Sequence, residues 1–155
     1  MKWVKCNRLN TEQKHAVRKL WNTEYPKSIA LKTPKDLDDY LAKLEDQNHI
    51  LLLDENEKIV GWFFGFIRDS ERWFAIIVDS TFHCKGYGSI LLNEAKSLYA
   101  ELNGWVITSA NHSRLSGEPY VSPLGFYTNH NFEVLEDVTL ETEAMKTIKI
   151  KWQKT

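Results

Sequence analysis

Polar and apolar positions change period several times along the chain, and each change marks an element. Val4 to Arg8 reads as a short strand. Asn10 then caps a helix, with Gln13 three residues on as in a capping box. Val17, Leu20, Trp21 and Tyr25 follow at helical spacing, and Pro26 ends the run. Thr33-Pro34 opens a second helix whose stripe is Leu37, Tyr40, Leu41 and Leu44. The period then shortens. His49 to Leu53, Ile59 to Ile67 and Trp73 to Val78 are apolar or β-branched runs separated by polar turns, a pattern for an antiparallel meander. Gly86 to Leu102 returns to helical spacing, with Leu91, Leu92, Ala95, Leu98, Tyr99 and Leu102 on one side and Asn103-Gly104 as the stop. Trp105 to Ala110 is a further strand, and Asn111 to about Ser122 is a polar loop. Ser122-Pro123 starts a short helix ending near His130, and Phe132–Leu140 with Met145–Trp152 closes the chain as a hairpin.

The order is therefore β-α-α-β-β-β-α-β-α-β-β. It predicts one α/β domain over residues 1–155, with a mixed, mostly antiparallel sheet flanked by helices. A regular β-α alternation is missing, which argues against a doubly wound nucleotide fold.

Composition narrows the picture. The chain has 155 residues, 43% apolar and 26% charged, a balance expected of a globular protein with a core of its own. Cys6 and Cys84 are too few for a disulfide scaffold or a four-cysteine zinc site. A net charge of −1 supplies no global field for nucleic acid or an anionic membrane. No apolar run approaches the ~20 residues of a membrane helix, and the first residues lack the apolar core of a signal peptide. The expectation is a cytoplasmic monomer or homodimer that binds neither nucleic acid nor membrane. His15, His49, His83, His112 and His130 show no zinc-ligand spacing.

The most informative stretch follows Val78. A strand gives way to Asp79–His83, and Cys84-Lys85-Gly86-Tyr87-Gly88-Ser89 opens a helix. Glycines at a helix start let a ligand approach the backbone and leave N–H groups unpaired at the positive end of the helix dipole. That geometry suits a phosphate or pyrophosphate, while a tight turn alone is the plainer reading. A P-loop needs Gly-Lys-Ser/Thr, and here Lys85 precedes Gly86. A dinucleotide fingerprint needs a third glycine, and Leu91 stands in its place.

Val78 to Leu92 resembles the acetyl-CoA signature of the GCN5-related N-acetyltransferase (GNAT) superfamily, (Gln/Arg)-x-x-Gly-x-(Gly/Ala) between an aliphatic strand end and a Leu-Leu helix. Phe126-Tyr127-Thr128-Asn129-His130-Asn131-Phe132 is similar to the family's Phe-Tyr-x-Lys-x-Gly-Phe, and the element order is the family's order. His83 replaces the usual Gln or Arg, and Asn131 replaces a Gly, Asn being the next-best residue for positive φ.

The resemblance implies transfer of an acetyl group from acetyl-CoA to a primary amine, on a small molecule or peptide, by direct attack. It implies that the backbone of Ile76, Ile77 and Val78 pairs with the pantetheine arm. It assigns the rest of the cofactor site to His83, Cys84, Lys85, Gly86, Tyr87, Gly88, Ser89 and Asn111, and the general acid to Tyr127. Trp21, Tyr25, Trp62, Phe64 and Trp73 fall where the resembled fold lines its acceptor cleft, and Phe66 shares the face of Trp62 and Phe64. Ordinary core packing is the other reading of each. Glu24, Glu71 and Glu118 are the candidates for a base, and the loop Ser113 to Tyr120 is expected to border the acceptor. Two other functions stay open: a CoA-binding module without turnover, and a transferase of longer acyl-CoA.

Overall fold

A computed structural model of the chain describes residues 1–109 and 112–155. Seven strands form one sheet: β1 (Lys2–Cys6), β2 (Glu45–Leu53), β3 (Ile59–Arg68), β4 (Glu71–Val78), β5 (Glu101–Ile107), β6 (Glu133–Glu141) and β7 (Lys146–Gln153). Their order is β1-β2-β3-β4-β5-β7-β6, and every neighbouring pair is antiparallel except β4–β5. The meander expected of β2, β3 and β4 is present, as is the closing hairpin.

Local chemistry sets the helix ends. In α1 (Thr11–Glu24) the Asn10 side chain accepts from Gln13 N–H while Gln13 returns a bond to the Asn10 N–H, each 2.8 Å. Thr33 and Asp36 repeat the device at α2 (Pro34–Ala42), with Pro34 in the first turn. Both helices lie on one face of the sheet, where Val17, Leu20, Leu37 and Leu41 pack on Leu51, Trp62, Phe64 and Ile77. On the other face α3 (Tyr87–Leu98) and α4 (Leu124–Thr128) bury Leu91, Leu92, Ala95 and Tyr127 against Val60, Phe63, Phe74 and Ile150.

Boundaries depart from the sequence reading at β1, which runs Lys2–Cys6 and not Val4–Arg8, at β2, which begins at Glu45 and not His49, and most consequentially at the end of α3. The third helix stops at Leu98 instead of Leu102, and β5 begins at Glu101 instead of Trp105. Tyr99 turns extended (φ −128°, ψ 152°), and Leu102 is fully buried in the sheet. Leu98, Tyr99 and Leu102 satisfy helical spacing as well as they satisfy a turn followed by a strand, so periodicity could not choose. Tertiary contacts decide. The Asn103 amide donates to the Arg72 carbonyl on β4 at 3.1 Å. A Cβ on Gly104 would stand 3.0 Å from the Phe74 ring, so this glycine lets β5 approach Phe74 and does not end a helix. Ala110, expected to close the strand, lies outside the described residues.

Candidate active site

Past Trp73, β4 runs without a partner on one side. Trp73 pairs with Asn103, and no further β4–β5 pair forms among the described residues. Asp79 N–H donates to the Val60 carbonyl at 2.8 Å, so alternation along the ladder turns the peptide groups of Ile77 toward β3 and those of Ile76 and Val78 toward the gap. Ile76 can therefore offer its backbone groups to a ligand strand, and Val78 its N–H, the Val78 carbonyl being taken by His83. Ile77 cannot, because its own are committed to β3.

The gap opens a cleft of about 950 Å³ that is lined from both faces of the sheet. At one end stands the glycine turn. Cys84 (φ 61°) and Gly86 (φ 85°) are both left-handed, an alternation that gathers successive N–H groups on one side. Helix α3 starts without a side-chain cap, and its first intrahelical bond is Ile90 N–H to the Gly86 carbonyl at 3.0 Å. The N–H groups of Tyr87, Gly88 and Ser89 precede that bond and have no helical partner. The two glycines serve different ends. A Cβ at Gly86 would meet nothing within 4 Å, so its backbone angle alone demands glycine; a Cβ at Gly88 would press on the Phe126 ring at 3.3 Å.

Two side chains of this turn are already engaged. His83 Nε2 lies 2.6 Å from the Val78 carbonyl, so that nitrogen carries the proton and ties the turn to the strand end. His130 Nδ1 donates to the Phe126 carbonyl at 2.7 Å, which leaves Nε2 to accept from the Ser89 hydroxyl at 2.9 Å. The Lys85 ammonium lies over the Phe82 ring at 5.6 Å. Asn111 lies outside the described residues.

Tyr127 lines the cleft from α4, edge-on to Phe74 and Phe132 at 5.7 and 5.4 Å. Burial, with Tyr120 close by, pushes its phenol far above the usual tyrosine range. Its hydroxyl has no hydrogen-bond partner among the described residues. Asn131, which follows this helix, takes φ 68°, as expected where the resembled motif has glycine.

The sequence profile of the acetyltransferase (GNAT) family matches residues 14–116. The chain belongs to that family. Three solved structures show how far the likeness extends. One provisionally assigned as a phosphinothricin N-acetyltransferase is 16% identical, with 99% of each chain covered and a TM-score of 0.72. An aminoglycoside 6'-N-acetyltransferase complexed with coenzyme A is 11% identical, over 99% of this chain and 97% of that one, at 0.71. A GNAT phosphinothricin acetyltransferase from Sinorhizobium meliloti with AcCoA is also 11% identical, over 99% and 89%, at 0.65. At these identities the likeness establishes the fold. No protein of curated function matches the sequence.

Of the aromatic residues expected to line an acceptor cleft, Trp21, Tyr25 and Trp73 line the cleft observed. Trp62 and Phe64 do not. They are 0% and 1% exposed, stacked 4.3 Å apart beneath the helices, with the Trp62 indole donating to His49 Nδ1 at 3.0 Å. The alternation that puts them on one face with Phe66 is right, but α1 and α2 cover all of that face except its end, where Phe66 does reach the cleft. Sequence reasoning missed Tyr40, Arg68 and Trp105 as cleft residues. Tyr40 was legible as a helix stripe position, and Arg68 as the last residue before a turn; neither signal points to a cleft.

The carboxylates proposed as bases are all engaged. Glu24 is buried and lines the cleft, but one oxygen accepts from Ser80 N–H at 2.9 Å and the other meets Arg114 at 3.2 Å. Glu118 is exposed and pairs with Arg114 as well. Glu71 is held by Lys149 and Lys151 and does not line the cleft. The loop from Ser113 folds back on itself through Arg114–Glu118 and Ser113–Pro119 pairing. It docks on the turn that follows α1 through Lys27 N–H to the Ser113 carbonyl at 2.9 Å, and places Tyr120 in the cleft beside Tyr25.

Proposed function

We propose that this GNAT protein transfers an acetyl group from acetyl-CoA to a primary amine, by direct attack of the amine on the thioester. The observation that carries the proposal is the unpaired edge of β4 running into a left-handed glycine turn, with Tyr127 beside it. The two relatives solved with CoA and AcCoA support the same donor.

In this reading the pyrophosphate sits on the N–H groups that open α3, and the pantetheine pairs with Ile76 and Val78. Val78 N–H stabilises the oxyanion as the amine nitrogen bonds to the carbonyl carbon. The C–S bond then breaks, and the Tyr127 hydroxyl gives its proton to the departing sulfur. The nitrogen, acidic once bonded to the acyl carbon, gives up a proton that restores the Tyr127 phenol, so the proton lost by the amine ends on the CoA thiol. Burial keeps the Tyr127 phenol protonated but also makes it a weaker acid than the thiol it forms, so its transfer to sulfur depends on recovering the proton from nitrogen.

The test joins binding to turnover. Acetyl-CoA at one hundred times its dissociation constant stabilises the fold by about 2.7 kcal/mol, read as a raised Tm. A screen of amines by CoA release finds an acceptor. Tyr127→Phe then lowers kcat roughly a hundredfold, toward the low end for a lost general acid because a thiolate leaves readily, and the acetyl-CoA shift persists. Full turnover by Tyr127→Phe would remove the residue from the mechanism. A shift without turnover on any amine identifies a silent CoA-binding module.

A further inference from the structure

The acceptor end of the cleft carries a cation that the protein does not neutralise. Arg68 closes β3 with its guanidinium 4.5 Å from the centre of the Trp73 ring and 5.3 Å from that of Phe66. It also faces Tyr40, whose phenol burial pushes up to about 12 against the pull of that nearby charge. The residue across the ladder is Glu71, the obvious counter-ion. Its carboxylate is taken by Lys149 at 2.8 and 3.1 Å and by Lys151 at 3.4 Å. Glu45 and Asp69 border a groove on the outer side of Arg68, and neither forms an ion pair with it. Among the described residues Arg68 has neither a salt bridge nor a hydrogen bond. Stacking uses the face of the guanidinium and leaves its edge donors open.

The surroundings select against a second positive charge. Glu24 is the one carboxylate lining the cleft among the described residues, and both its oxygens are engaged. The nearby walls are aromatic: Tyr40, Phe66, and Trp73 tilted on Trp105 at 5.2 Å. The Trp73 indole N–H is buried and has no acceptor, a second unused donor on the ring that Arg68 covers. Within the cleft lining a polycationic amine would meet one uncommitted cation and no uncommitted anion, since Glu45 and Asp69 border the separate groove beside Arg68 and do not line the cleft. An amine carrying an anionic group would meet its complement.

Strand geometry sets a length. At ~3.3 Å rise per residue, Trp73 lies roughly 10–16 Å along β4 from Ile76 and Val78, where the acyl group is proposed to sit. We infer that the acceptor is an elongated amine with a flat or apolar body and a carboxylate at its far end, and that Arg68 binds this carboxylate in a fork of two hydrogen bonds. The inference rests on the acetyl-transfer reading of the same cleft.

Glycyl-glycyl-phenylalanine, about 10 Å long when extended, is compared with its C-terminal carboxamide as acceptor. Both are assayed by CoA release with wild type, Arg68→Lys and Arg68→Ala. Wild type should favour the carboxylate at least tenfold in kcat/KM, through KM. The preference should shrink in Arg68→Lys and fall to about one in Arg68→Ala, while all three proteins keep the same acetyl-CoA Tm shift. Equal use of the two peptides by wild type, or a preference that survives Arg68→Ala, overturns the inference. If neither peptide releases CoA, the N-acetylated peptides are titrated calorimetrically into CoA-saturated protein. Tenfold tighter binding of the acid, lost in Arg68→Ala, sustains the charge assignment while the transfer reading fails. Equal binding of acid and carboxamide overturns the assignment.

Discussion

Single residues in this protein are governed by what burial does to their polar atoms. His49 is the clearest case. It is 1% exposed, its Nδ1 accepts the Trp62 indole N–H at 3.0 Å, and its Nε2 faces Gln47 Oε1 at 3.1 Å. The ring must be neutral to accept, and burial pushes its pKa down to about 4. The unfolded chain, with an ordinary histidine near 6.5, takes up the proton first as pH falls. Stability contributed by the neutral ring is thus complete above about 6.5, declines through the interval, and is lost below about 4. The full difference is about 3 kcal/mol. Urea midpoints measured from pH 7.5 to 4 should fall along this window, and His49→Gln should flatten the fall. An unchanged slope would show that another group carries the acid sensitivity. Tyr25, Tyr120 and Tyr127 follow the same rule with opposite sign, since burial disfavours phenolate and keeps their hydroxyls as donors.

At the scale of elements, the junction of β4 with α3 holds the candidate chemistry, and its two glycines separate binding from turnover. Gly86 sits at φ 85° with open space where a Cβ would be. Gly86→Ala should cost about 1–2 kcal/mol of left-handed strain. Gly86→Val, whose branched Cβ resists that angle further, should flatten the turn and abolish the acetyl-CoA Tm shift. Gly88 instead touches Phe126, which neighbours Tyr127 at 5.1 Å between ring centres. Gly88→Ala should therefore displace α4 and lower kcat several-fold, with the acetyl-CoA shift largely kept. Thermal shift and steady-state rates on the same preparations distinguish the two, and a common loss of both quantities would mean the turn and α4 act as one unit.

Across the whole molecule, the side of the cleft proposed to take the acceptor is closed by a contact between residues 90 positions apart. Arg114, in the loop before α4, reaches Glu24 at the end of α1. Both side chains are mostly buried, 16% and 6% exposed. Arg114→Met should cost about 3 kcal/mol by stranding the Glu24 carboxylate, and adding Glu24→Gln should recover part of it. A cycle of urea denaturations measures the coupling; additive losses would show the pair to be decorative. The helix caps at Asn10 and Thr33, the β2–β3–β4 meander, the glycine turn and the family motif around Tyr127 were all legible in the sequence. Each depends on neighbours a few residues apart, where spacing and residue type carry the physics. The end of α3 was not, because Leu98, Tyr99 and Leu102 fit either period until Phe74 and Arg72 arrive from another strand. Trp62 and Phe64 were placed on the correct face yet in the wrong environment, since alternation assigns a face and only helix packing decides which part of it stays open. The uncommitted charge of Arg68 was equally invisible. Its natural partner Glu71 stands across the hairpin, and only the approach of β7, bringing Lys149 and Lys151, takes that partner away.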